Sequence, residues 1–160
     1  MKTTTTLLAV LLSLSGCSTG SPVDGVDLEA LTDGFIRARS EVPEFGGVSV
    51  VRDEPVVLTF GEVSAALPVV RSIFGEVGTV RTRAAFGGAS EALKDEVSRT
   101  VFDTYPSVGA TYVDFDERIG YVRLGVANAT GVARAYEALD RAGLPTSEVV
   151  VEVIPPARDF

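Results

Sequence analysis

Histidine and tryptophan are absent from the 160 residues, and cysteine occurs once, at Cys17. The missing imidazole removes the Ser-His and Cys-His dyads and the commonest nitrogen ligand for metals. A lone thiol forms no disulfide within the chain. Without tryptophan, a deep sugar cleft lined by rings around paired carboxylates is not expected. Lysine is nearly absent too. Beyond Lys2 there is only Lys94, inside the charge-rich Glu91-Ala92-Leu93-Lys94-Asp95-Glu96, which reads as a solvated helix face rather than a catalytic amine. Acidic residues outnumber basic ones 22 to 14, for a net charge of −8. Nucleic-acid binding is therefore not expected, because phosphate contacts need clustered Lys and Arg, and an acidic surface does not adhere to anionic lipid either.

One apolar stretch stands out at the start. Lys2 and a threonine run precede Leu7-Leu8-Ala9-Val10-Leu11-Leu12, and small residues follow. That is the order of an export signal, and the stretch is far short of the roughly 20 apolar residues a membrane span needs. Leu14-Ser15-Gly16-Cys17 resembles the lipobox of bacterial lipoproteins. The resemblance implies that the thiol of Cys17 takes a diacylglyceryl group and that the signal, residues 1–16, is cut just before it. Two or three acyl chains, at roughly 0.8 kcal/mol per buried methylene, would anchor the protein stably. Residues 17–26 then read as a lipidated flexible tether, rich in small residues through Ser18-Thr19-Gly20-Ser21-Pro22. Ser18 rather than Asp after the cysteine favours, by the same resemblance, the periplasmic face of the outer membrane in a Gram-negative host. The cell envelope is the expected location.

The roughly 140 residues after the signal suffice for one compact domain or two very small units. Apolar spacing predicts a helix over 27–40, a strand over 48–51, a turn at Arg52-Asp53-Glu54-Pro55 and a return strand over 56–60. A helix is expected over 63–74, with a strand over 79–86. A linking helix from Ser90 to Phe102 buries Leu93, Val97, Val101 and Phe102, with Ser90 as its cap. The order then recurs: a strand over 108–113, a turn through Asp114 to Arg118, a strand over 119–126, a helix over 130–142 capped by Asn128 or Thr130, and a strand over 148–154. Pro43 and Pro106, Gly46 and Gly109, Val50 and Val113, Asp53 and Asp116, Glu54 and Glu117 match at an offset of about 63 residues, which points to a duplicated unit. The expected fold is α+β: two ββαβ units in tandem, mostly antiparallel sheet, helices on one face. The first unit, with its leading helix, spans 27–88. The linking helix and second unit span 89–160.

The second copy carries a further likeness. Gly109-Ala110-Thr111-Tyr112-Val113-Asp114, then Tyr121-Val122-Arg123-Leu124-Gly125-Val126, then Ala138-Leu139-Asp140-Arg141-Ala142-Gly143-Leu144-Pro145 resembles a module in the pro-regions of α-lytic protease and streptogrisin-type serine proteases. The likeness covers 106–156, and the first copy fits it more loosely. It implies a folding assistant or inhibitor that docks its sheet beside a protease hairpin. No protease follows within the sequence, so a free-standing, non-catalytic protein-binding module is expected, working by edge-strand pairing. The candidate edges are 149–154 and 48–51. The tail 155–160 reads as an unstructured end, with a partner's groove as its other destination. The alternative reading is a structural envelope lipoprotein.

Other chemistry is weak in this sequence. Asp114, Asp116 and Glu117, with Asp53 and Glu54 at the repeat position, offer oxygen ligands for a hard cation, but the spacing and glycine of an EF-hand loop are missing, so solvated turns are expected. Gly46-Gly47, Gly87-Gly88 and Gly75 with Gly78 lack the following Lys of a phosphate loop and read as turn glycines. Neither cofactor nor metal is expected. Cys17 is the one residue assigned a chemical role.

Overall fold

The computed structural model describes residues 27–155. The signal, Cys17 with its tether, and the tail from Pro156 onward lie outside the described residues. The first unit runs α1 (Leu31–Glu41), β1 (Phe45–Val51), β2 (Glu54–Thr59), α2 (Val63–Phe74) and β3 (Thr79–Thr82). The linking helix α3 (Glu91–Arg99) passes into a wider π-type turn, Thr100–Thr104. The second unit runs β4 (Ala110–Asp116), β5 (Tyr121–Val126), α4 (Ala129–Arg141) and β6 (Val149–Val153). The fold is α+β, with two ββαβ units in tandem.

Each unit forms its own three-stranded sheet, ordered β1-β2-β3 and β4-β5-β6. The hairpin pair is antiparallel and the third strand joins in parallel. Parallel return is what a helical crossover between two strands allows. Both hairpins carry an irregularity near their start, between Phe45 and Gly47 and between Ala110 and Tyr112. This shared defect aligns Phe45 with Ala110 and Gly47 with Tyr112. The duplication therefore holds, but not at the offset the turn residues suggested. Asp53 sits in a two-residue hairpin turn, whereas Asp116 is the last residue of β4.

Several boundaries moved for identifiable reasons. Gly46 and Gly47 lie inside β1 rather than before it. The first turn is only Arg52 and Asp53, both at positive φ, 52° and 64°, as a hairpin turn matching strand twist requires. Pro55 enters β2 opposite Val50, before pairing with β3 begins at Val56, so its missing N–H costs no ladder bond there. The second strand of acidic residues, Asp114 to Asp116, belongs to β4 and not to a turn. Phe102, expected in the buried stripe, is 42% exposed, while Thr100 is buried. The π-type turn shifts the phase of the helix end by one residue.

Helices cover the apolar sheet faces, and one core runs through both units. It joins Val48, Val57, Ala66 and Val70 of the first to Val122, Leu124, Val132, Leu139 and Val151 of the second. The two units are stitched by the segment after β3. The Tyr121 hydroxyl donates to the Ala84 carbonyl at 2.7 Å, and the backbone N–H groups of Gly87 and Ala89 donate to the carbonyls of Ile119 at 2.7 Å and Gly120 at 3.0 Å. Only glycine fits at Gly87, because a Cβ there would lie 2.2 Å from the Gly120 carbonyl oxygen, which is backbone and cannot turn aside. We expect Gly87→Ala to destabilise by about 2 kcal/mol, read as several degrees of Tm. Gly88→Ala, whose Cβ would face only the end of the Glu148 side chain, should change Tm little. Equal Tm values for the two variants would show that the stitch does not hold the units together.

Candidate functional site

Two sheets of three strands have four outer edges. The two expected to receive a partner, on β6 and β1, lie against each other inside the molecule. A Cβ at Gly47 would stand 3.1 Å from the Val151 carbonyl oxygen and 3.2 Å from Val150 Cγ1. All five residues of β6 are buried. The edges do not bond to each other as a ladder. Side chains satisfy part of them instead: the Tyr136 hydroxyl donates to the Val48 carbonyl at 3.0 Å, and Arg83 Nη1 donates to the Val149 carbonyl at 2.9 Å. Buried backbone polar groups demand such partners. The edges at 149–154 and 48–51 are thus already occupied within the chain. Among the described residues, the edges with no further strand packed against them are those of β3 and β4.

Next to β4 lies a polar face built across three strands. Tyr112 pairs with Gly125, and Gly125 pairs with Glu152, so the three are lateral neighbours on β4, β5 and β6. Glu152 is fully buried. Because Gly125 has no side chain, the Tyr112 ring lies over it, and the Tyr112 hydroxyl reaches across to donate to Glu152. A Cβ at Gly125 would fall 2.3 Å from that ring. Arg123 Nε donates to the same carboxylate at 3.0 Å, and Arg39 Nε, arriving from α1, donates to its other oxygen. Burial pushes the Glu152 carboxyl up, but the hydrogen bonds from Tyr112, Arg123 and Arg39 outweigh it and hold the carboxyl below its ordinary value. Burial, then the bond to Glu152, raises the Tyr112 phenol well above its ordinary value, so it stays a donor.

Arg123 also approaches Asp116 at 3.7 Å, and Arg118 approaches it at 3.4 Å. The hydrogen bond from Arg118 leads in holding Asp116 low. Asp116 is therefore engaged by arginines. Asp114 accepts from the Phe115 backbone N–H at 2.9 Å. Asp53 and Glu54 sit in the other hairpin, away from these. Among the described residues, no three His, Cys, Asp or Glu side chains are grouped to hold a metal ion. Lys94 is paired with Glu91 at 3.0 Å and Asp95 at 3.1 Å on α3. Cys17 lies outside the described residues. No described helix is long and apolar enough to cross a membrane. The chain matches no protein-family model and no curated protein.

Sequence reasoning did not find the Glu152 cluster. Its one visible signal is a lone glutamate in the valine run Val149-Val150-Val151-Glu152-Val153, which alternation alone assigns to an outer face. The cluster has the geometry of an anchor: it joins four chain segments through one carboxylate. We expect Glu152→Gln to cost about 2 kcal/mol, since it strands two arginines that are partly exposed. A carboxyl held low in the folded state stabilises above its unfolded pKa of roughly 4.3 and loses that contribution as pH falls through the lower folded value. Urea unfolding across the acid range should therefore show a steeper loss for the wild type than for Glu152→Gln. Parallel curves would remove Glu152 from the acid response.

Proposed function

We propose that the chain is a non-catalytic, lipid-anchored binding module of the cell envelope that receives an extended strand of an exported protein along β4. The observation that carries this reading is the open edge of β4, seven residues long. Its first five residues, Ala110 to Asp114, fall in the Gly109-Ala110-Thr111-Tyr112-Val113-Asp114 stretch that resembles serine-protease pro-regions. Main-chain hydrogen bonds supply affinity in strand addition, and alternate side chains supply selectivity. The face beside β4, braced by Tyr112, Arg123 and Glu152, leaves little conformational entropy to lose on binding. The lipobox resemblance at Cys17 supports a membrane anchor, and the absence of histidine in the composition supports binding over catalysis. The partner class implied is an exported chymotrypsin-like protease, inhibited or helped to fold.

The test is a protease of that class from the same host, refolded without its own pro-region. Added chain is expected to speed recovery of activity or to inhibit the folded enzyme. Asp114→Lys, on the β4 edge, should weaken that effect, and Thr82→Lys, on β3, should not. An unchanged protease at saturating chain would overturn the reading and favour a structural envelope role. Separately, Cys17→Ser should move the protein from the membrane to the soluble fraction of the envelope.

A further inference from the structure

The two unpaired edges differ in sign. β3 and the next residue read Thr79-Val80-Arg81-Thr82-Arg83, with no acid; Arg83 turns inward to the Val149 carbonyl, so Arg81 is the base this edge offers. β4 and the next residue read Ala110-Thr111-Tyr112-Val113-Asp114-Phe115-Asp116-Glu117; Asp116 is held by Arg118 and Arg123, which leaves Asp114 and Glu117 as the acids this edge offers. Arg81, Asp114 and Glu117 are exposed, and none makes an ion pair among the described residues. Soluble proteins often blunt an open edge with charge, and like charges on both edges would forbid self-pairing. Opposite charges do the reverse.

The internal joint supplies a second argument. Inside the molecule, the hairpin edge of one unit, β1, meets the crossover edge of the other, β6. The edges left over are one of each kind: the crossover edge β3 and the hairpin edge β4. A contact between β3 and β4 of different copies would bring the same two kinds of edge together, here with their ladder groups free to pair. The Tyr112 ring lies inward over Gly125.

We propose that this chain associates with a second copy head to tail, β3 of one molecule laid along β4 of the next. The contact is heterologous, so each added copy presents the same two edges again and the assembly is open-ended. β3 has four residues, which keeps the ladder short and the association weak. The net charge, −8 for the whole sequence and −9 once Lys2 is removed with the signal, opposes it at low salt. At physiological ionic strength the Debye length of about 8 Å screens the distant charges and spares the contacting ones. This inference goes beyond the binding role proposed above and competes for the same β4 edge. Arg81 belongs only to the self-contact, so the two readings fail separately.

The test uses the chain from Ser18 onward, which keeps every described element and contains no cysteine. Sedimentation equilibrium from micromolar to millimolar concentration should show a rising average mass. Arg81→Glu and Asp114→Arg should each weaken association roughly tenfold or more, and the double exchange should restore it. Circular dichroism checks that each variant is folded. With a short bis-maleimide, Thr82→Cys alone and Thr111→Cys alone should stay uncrosslinked, while a mixture of the two should crosslink. A monomer at all concentrations overturns the proposal. So does undiminished association in Arg81→Glu, or crosslinking of Thr82→Cys alone as strong as that of the mixture.

Discussion

Glu152 ties α1 of the first unit to all three strands of the second sheet. Its carboxylate sits on β6, accepts from Tyr112 on β4 and Arg123 on β5, and accepts from Arg39 on α1. Three of these belong to one sheet and would exist without the first unit. The fourth does not. α1 leads into β1, and fixing α1 over β6 brings Gly47 against Val151. A buried ion cluster is seldom a large net source of stability, because desolvating the charges offsets their attraction. Its contribution here is to geometry. Arg39 reaches that carboxylate from α1, and Thr32 of the same helix accepts from the Ala129 N–H at 3.1 Å, so α1 meets the second unit at two polar points.

Once that docking is set, the fate of every strand edge follows. β1 and β6 face one another and are lost to outside partners. Backbone groups left on those edges are taken by Tyr136 and Arg83, each from a different unit than the strand it serves. Arg83 also lies 5.2 Å from the Tyr121 ring centre. Burial lowers its pKa, and Tyr136 and Tyr121 offset part of that. The residues that close the joint are therefore not those of a sheet interior. They are an arginine, two tyrosines and several glycines, the types that reach across or stand aside.

The helices were the most legible part of the chain. α2 begins and ends where periodicity placed it, because Gly75 at φ 70° stops it. Ser90 and Asn128 cap α3 and α4 by accepting from Leu93 and Gly131, as polar residues before an apolar stripe do. Strand order within each unit was legible for the same local reason. What could not be read is non-local. Asp114 and Asp116 look like turn residues until arginines from β5 and the turn are placed beside the latter. Glu152 looks like an outward residue until α1 arrives. The edges at 48–51 and 149–154 look open until the two units dock. Of the sites, Cys17 rests on its own neighbours in sequence and on nothing the described residues touch.

Duplication makes this asymmetry unavoidable. Each ββαβ unit has one hairpin edge and one crossover edge, and the two are not alike: β4 is seven residues long and β3 four. If the units had joined by like edges, the pair would be closed by a two-fold axis, with matching edges left outside. They join by unlike edges. The outside then carries one of each, long and acidic at one end, short and basic at the other. A long edge beside a braced polar face suits a partner's strand, whereas a short edge suits a weak contact that a better partner displaces. The same joint that hides β1 and β6 thus decides both what the molecule offers and how firmly each end can hold.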